Sequence, residues 1–199
     1  MADVFLALVH YPVYNKRRDV IASALTTIDI HDLARLAATY DLAGVYLVTP
    51  LADQLGLAQQ MIDHWSRGWG LEYNRNRAEA LTLVRLARDL AEAEADITAT
   101  HGRRPMWIGT SAGNYADSWM NDHPRITTFK GMVRQRHQPD PWLILLGTAW
   151  GLTDDVLARC DVILEPIKGS TEYNHLSVRS AASIIVDRLL GHGANGGIS

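Results

Sequence analysis

The chain has 199 residues, which suits one domain with a sizeable core. Its 47% hydrophobic and 21% charged residues exclude wholesale disorder, collagen and low-complexity fibres. A net charge of −3 excludes the overall basicity of a bulk nucleic-acid binder, so any nucleic-acid contact must use a local patch.

Val4–Val9 is an apolar run of strand length that stops at the turn signal His10-Tyr11-Pro12. With Asp3 and no basic segment ahead of it, this start reads as a first strand and not as a signal peptide. Lys16, Arg17 and Arg18 lie in a polar loop over Asn15–Asp19. Ile28–Thr39 has helical spacing, and Asp29 either caps that helix or sits in its first turn. Gly44–Val48 is a buried strand stopped by Thr49-Pro50, and Leu51–Ser66 a helix broken by Gly68-Trp69-Gly70. Asn74–Ala80 reads as a short helical turn, Leu81–Leu86 as a strand and Asp89–Thr100 as an amphipathic helix ending near Gly102.

Met106–Gly109 is a strand leading into Thr110-Ser111-Ala112-Gly113. Asn114–Pro141 is polar and carries Arg125, Lys130, Arg134, Arg136 and His137. Trp142–Leu146 is the most apolar strand, followed by the glycine-flanked loop Gly147–Leu152. Thr153–Arg159 is a short helix with Thr153 as N-cap and Asp154 and Asp155 in its first turn, where the helix dipole favours acids. Val162–Leu164 is a last strand, Glu165–His175 a loop, and Leu176–Leu190 the final helix, with small residues at 180–183 suited to close packing. Gly191–Ser199 holds four glycines and reads as a flexible tail.

Strands alternating with helices predict an α/β fold, a parallel sheet with helices on both faces, in a single domain over 1–190. No apolar run reaches the ~20 residues of a membrane span. One cysteine, Cys160, leaves no disulfide framework and reads as a buried small hydrophobe. His10, His31, His64 and His175 lack the close spacing of a zinc helix, so no metal is expected. Of the basic residues only Lys16, Lys130 and Lys168 are lysines, a bias that suits phosphate contacts and that a GC-rich genome also produces.

In open parallel sheets, ligands bind beyond the carboxyl ends of the strands. The loops there are Thr49-Pro50, Thr110-Ser111, Gly147–Leu152 and Glu165–Ser177. The glycines of the third either admit a ligand to the backbone or only make a tight turn. There is no dinucleotide fingerprint, no phosphate-binding P-loop and no Gly-x-Ser-x-Gly nucleophile elbow.

Two C-terminal motifs carry a resemblance: Leu-Leu-Gly-Thr-Ala-Trp-Gly-Leu at 145–152, and Glu-Pro-Ile-Lys-Gly with Tyr-Asn-His-Leu-Ser-Val-Arg-Ser-Ala within 165–181. With His10–Asn15, Thr27–Arg35, Val48-Thr49-Pro50, His64-Trp65 and Tyr73-Asn74, the chain resembles the SPOUT superfamily of S-adenosylmethionine-dependent RNA methyltransferases from about residue 4 to 190. More narrowly, it is similar to the bacterial family that sometimes occurs fused to tRNA guanine-N1 methyltransferase. Asn114–Pro141 departs from the pattern.

The resemblance implies a C-terminal deep trefoil knot with the last helix threaded through a loop, a homodimer and a tRNA or rRNA substrate; the single cysteine and the lack of an export signal make the cytoplasm the expected setting. It implies that S-adenosylmethionine is held by Leu146, Gly147, Thr148, Gly151, Glu165, Pro166, Ile167, Gly169, Tyr173, Asn174, Leu176 and Ser177, with Thr49, Pro50, Thr110 and Ser111 closing the site. The ribose-methylating branch has an Asn and, six positions later, an Arg that assists the acceptor. Asp29 and Arg35 hold that spacing here. Arg35 is then a phosphate or acceptor contact, or a solvated helix charge. Asp29 is a base or a cap, and Asn174 faces the methyl group or caps the last helix. Tyr14 and Trp150 are candidates to stack on a base. The competing readings are a knotted module that binds the methyl donor or RNA without catalysis, and a nucleotide-dependent enzyme of another α/β class.

Overall fold

Continuous apolar runs bounded by turn residues make strands that are buried on both faces, as a parallel sheet requires. The computed structural model describes residues 2–67, 72–113, 126–171 and 173–191. In chain order these form β1 (Val4–Val9), β2 (Val13–Tyr14), β3 (Val20–Ile21), α1 (Thr27–Thr39), β4 (Gly44–Val48), α2 (Ala52–Ser66), α3 (Arg75–Leu81) and β5 (Val84–Ala87). Then follow α4 (Leu90–His101), β6 (Met106–Gly109), β7 (Ile126–Thr127), α5 (Phe129–Gln135), β8 (Trp142–Gly147), α6 (Asp154–Arg159), β9 (Val162–Leu164) and α7 (Val178–Leu190).

Among the described residues, seven strands form one sheet in the order β5-β4-β1-β8-β6-β9-β7. Every pairing in it is parallel, with Val4–Val9 in register against both Trp142–Gly147 and, from Phe5, Gly44–Val48. β2 and β3 make a small antiparallel hairpin.

Alternation along the strands divides the core in two. Val4, Leu6, Leu8, Ile144 and Leu146 pack with Ile30, Leu33, Met132, Ile185 and Val186 of α1, α5 and α7. Phe5, Ala7, Val9, Leu143 and Leu145 pack with Ala93, Ile97, Val156 and Leu157 of α4 and α6. Helices thus cover both faces, as the pattern predicts. Cys160 is fully buried in the second layer.

The departures from the sequence reading are local. The Leu81–Leu86 strand begins only at Val84, because Leu81 closes α3 and Thr82 stays helical at its C-cap. Asn74 caps α3 by accepting from the Arg77 amide. The last helix begins at Val178 and not at Leu176, with Ser177 Oγ accepting from the Ser180 amide at 3.2 Å. Asn174 is therefore not its cap. Ser180 and Ser183 are exposed and only Ala182 of that stretch is buried, so the small residues do not pack against neighbouring backbone as a group. The polar 114–141 stretch contains β7 and α5, unseen in the sequence. The 68–70 break, Arg125 and the glycine-rich tail beyond Gly191 lie outside the described residues. No helix among the described residues is long and apolar enough to cross a membrane.

Candidate functional site

The carboxyl ends of β8, β6 and β9 open into a cleft of about 930 Å³. Its floor is Leu146, Gly147 and Leu164, and its walls come from residues 110–113, 147–151, Glu165, Ile167 and 174–178. Ala181 and Ile185 of α7 and Asp29 of α1 close one side, and Arg18, Ser23 and Trp150 form the rim.

The turn after β8 is fixed by its own backbone. Thr148 N donates to Val9 O at 3.2 Å, Gly151 N to Thr148 O at 2.8 Å, and Trp150 N to Tyr14 O at 2.9 Å. Tyr14 N donates in return to Gly151 O at 3.0 Å, which ties the β2–β3 hairpin to the turn. Ala149 sits at φ 51°, a left-handed conformation that costs an alanine about 1–2 kcal/mol. Such strain persists only where surrounding contacts impose it. Gly147 cannot carry a side chain: a Cβ there would lie 2.4 Å from Leu152 N and 2.8 Å from Gly151 C.

Three side chains join the walls. Thr110 Oγ1 donates to Leu145 O at 2.7 Å, holding the end of β6 to β8. Asn174 Nδ2 donates to Ala112 O at 2.6 Å, clipping the last loop to the loop after β6. Its amide oxygen remains as an acceptor at the cleft. Glu165 Oε1 accepts from Phe129 N at 2.8 Å, so that carboxylate orients α5 as well as lining the cleft.

Asp29 is nearly buried, on the first turn of α1. Thr26, and not Asp29, is the N-cap. Its Oγ1 accepts from Asp29 N at 3.3 Å and donates to Asp29 Oδ2 at 2.5 Å. Arg179 Nε on α7 lies 3.7 Å from Asp29 Oδ1, and Arg179 Nη1 lies 3.6 Å from Asp32 Oδ2. Arg179 is thus the guanidinium facing this carboxylate. Arg35 is exposed on another face of α1, in a second cleft with Asp32, Arg179, Ser180 and Ser183. The structure does not bring Arg35 and Asp29 together, because six residues on a helix turn the side chain well away from the first position.

His10 belongs to a buried chain of hydroxyls at the end of β1. Thr148 Oγ1 donates its one proton to Val9 O at 2.9 Å. Ser23 Oγ, 2.5 Å away, must therefore donate to Thr148 Oγ1. His10 Nδ1, 2.9 Å from Ser23 Oγ, then carries the proton of that contact. Nε2 is left bare, buried and without a partner among the described residues. Burial pushes the imidazole below its ordinary pKa, with the Asp29 charge opposing. The unfolded chain therefore takes up this proton first. The stability contributed by neutral His10 is complete above about pH 6.5 and is lost as pH falls through that value toward the lower native one. Urea midpoints of the wild type are expected to drop from pH 7 to pH 5 by more than those of His10→Gln. Equal drops would remove His10 as the cause.

The cleft gathers Asp29, Thr110, Ser111, Leu146, Gly147, Thr148, Gly151, Glu165, Ile167, Asn174, Leu176 and Ser177 from the residues singled out in the sequence. Thr49, Pro50, Pro166, Gly169 and Tyr173 are not among its lining residues. Thr49 is buried at the end of β4, where its hydroxyl accepts from Leu51 N. β1 separates β4 from β8. Ser23, Leu164 and Ile185 line the cleft without any signal in the sequence, since none belongs to a motif, whereas Ala181 closes the second C-terminal motif. Tyr14 is not free to stack: the Arg18 guanidinium lies over its ring at 4.3 Å, and its hydroxyl accepts from Asp154 N.

A family model described as "SAM-dependent RNA methyltransferase" matches residues 3–191. A tRNA (guanine-N(1)-)-methyltransferase of Oleidesulfovibrio alaskensis is 46% identical over 189 residues, 95% of this chain and 42% of that protein. The chain thus spans about two fifths of the length of that curated relative. An uncharacterized protein of Aquifex aeolicus is 39% identical over 191 residues, 94% of this chain and 88% of that one. Among solved structures, the SpoU methyltransferase AviRb of Streptomyces viridochromogenes in complex with AdoMet has the same fold, with a TM-score of 0.54 at 16% identity over 98% of this chain and 62% of that one. On the match over residues 3–191, the chain belongs to the family of SAM-dependent RNA methyltransferases.

Proposed function

We propose that this chain transfers a methyl group from S-adenosylmethionine to a nucleotide of tRNA or rRNA. The observation that carries the reading is the rigid turn Gly147–Leu152 beside a nearly buried carboxylate, Asp29, in one cleft at the strand ends.

The residues present fit the methyl donor. Leu146, Leu164, Ile167 and Ile185 offer an apolar wall for an adenine ring, and the 147–151 turn and the Asn174 amide oxygen offer polar groups. S-adenosylmethionine, when bound, supplies a methyl group on a positively charged sulfur. The protein's part is to place the acceptor in line and to take a proton. Asp29 holds a carboxylate for that proton, steadied by the Thr26 hydroxyl and the Arg179 guanidinium. Thr110 and Asn174 keep the two covering loops in place.

The family resemblance supports three further assignments. Residues 1–190 form one domain with α7 threaded in a deep trefoil knot. The path from β9 past Ala112 and back beneath α1 and α5 suits that threading. Two copies pair through the exposed cleft between α1 and α7, where Arg35 lies, and Arg35 serves the partner's target from there. The protein works in the cytoplasm on RNA.

Differential scanning fluorimetry is expected to show a rise in melting temperature with S-adenosylmethionine, as linkage requires of a ligand specific to the folded state. Labelled methyl groups should then enter total RNA from a strain lacking the gene, and light scattering should give twice the chain mass. Binding without transfer would favour the non-catalytic module. No binding at millimolar ligand would overturn the proposal.

A further inference from the structure

Trp150 is 65% exposed at the rim of the cleft, the largest apolar side chain presented there. No ring or cationic group of the described residues covers it. Its backbone is held on both sides, by Trp150 N to Tyr14 O and by Gly151 N to Thr148 O, and the strained Ala149 precedes it. The indole is therefore a bare aromatic plate on a rigid mount.

The neighbouring hairpin ends in three cations with different duties. Arg18 is spent on Asp154 at 2.6 Å and on the Tyr14 ring. Lys16 and Arg17 are exposed and make no ion pair with a described residue. Asn15 Oδ1 fixes that tip by accepting from Arg17 N at 2.7 Å and Asp19 N at 3.0 Å. Tyr14 joins the tip directly to Trp150 through the hydrogen bond above.

We propose that Trp150 is the stacking platform for an unpaired nucleobase of the RNA substrate, with Lys16 and Arg17 holding adjacent phosphates. This rests on the RNA reading above and adds the substrate class, single-stranded RNA or an extruded base. An aromatic plate gains from a base only when the base's π-face is free, and pairing within a helix hides that face except at its ends. The deeper apolar wall of Leu146, Leu164, Ile167 and Ile185 leaves the rim to the acceptor.

The test uses a fluorescein-labelled 12-nucleotide single-stranded RNA of mixed sequence and the same sequence as a duplex, with S-adenosylhomocysteine present to prevent transfer. Anisotropy is expected to show the single strand bound at least tenfold tighter than the duplex. Trp150→Ala should weaken single-strand binding by roughly five- to a hundred-and-fortyfold, from the ~1–3 kcal/mol of one base stack. Trp150→Phe should restore most of it, and S-adenosylmethionine affinity should stay within about twofold. Lys16→Ala with Arg17→Ala should lower the slope of log affinity against log salt by about 1.4, from two phosphates on a single strand. Unchanged RNA binding in Trp150→Ala, or equal binding of the duplex, overturns the stacking proposal and leaves the RNA reading standing. Loss of S-adenosylmethionine affinity in Trp150→Ala also overturns it, by assigning the indole to the cofactor's adenine. Failure of the wild type to bind either RNA overturns both.

Discussion

Gly147→Ala is expected to weaken S-adenosylmethionine binding by roughly five- to a hundred-and-fortyfold and to destabilise the fold. The added methyl would sit 2.4 Å from Leu152 N and within 3 Å of Gly151 Cα and carbonyl carbon. All three are backbone atoms, so no side chain can turn aside. The turn must open, and it carries the amides of Thr148, Trp150 and Gly151 with their partners on β1, the hairpin and the turn itself. Overpacking of this kind costs about 1–3 kcal/mol. Gly56→Ala is the control. Gly56 lies inside α2, with nothing within 4 Å of the position of a Cβ. That change should stabilise by about 0.5–1 kcal/mol, the helix penalty of glycine against alanine. Isothermal titration and urea denaturation read both effects. A Gly147→Ala protein that binds the methyl donor normally would show that the turn is not the cofactor's wall.

Asp29→Asn should abolish most methyl transfer while leaving cofactor binding and folding nearly intact. The substitution keeps shape and removes the ability to hold a proton as carboxylate. General-base catalysis contributes typically 10²- to 10⁴-fold, so the rate under saturating substrates should fall by at least about a hundredfold. Folding should survive, because the α1 cap is formed by the Thr26 hydroxyl and the Asp29 backbone amide, neither of which changes. Single-turnover transfer of labelled methyl measures the rate. An unchanged rate would assign the Asp29 carboxylate to bracing the Thr26 hydroxyl and holding Arg179. A rate loss matched by equal loss of cofactor affinity would make its role electrostatic support of the donor.

The sheet was legible in the sequence wherever burial on both faces leaves an unbroken apolar run. Val4–Val9, Gly44–Val48 and Met106–Gly109 have the bounds read from the residues alone. Thr153 was legible as a cap because a hydroxyl precedes two acids and an apolar pair. β2, β3 and β7 were not, since two residues show no periodicity. α5 has one fully buried residue, Met132, and a glycine inside it, so no apolar stripe announced it. At the site, strand-end loops could be located from sheet geometry. Which arginine meets Asp29 could not. Arg35 shares its helix and Arg179 lies 150 positions away, and only the packing of α1 on α7 selects the second.

The place of β1 in the sheet bears on how the chain reaches its native state during synthesis. β1 leaves the ribosome before either of its partners, β4 and β8, and β8 is made some 138 residues later. β1, β4 and β5 can pair as soon as they emerge. One edge of that half-sheet is then Val4–Val9, six residues that the finished protein buries completely. An open apolar edge is a template for pairing with other chains. A strand in the interior of the finished sheet is thus an open edge of the nascent one, and it waits there until Trp142–Gly147 arrives to close it.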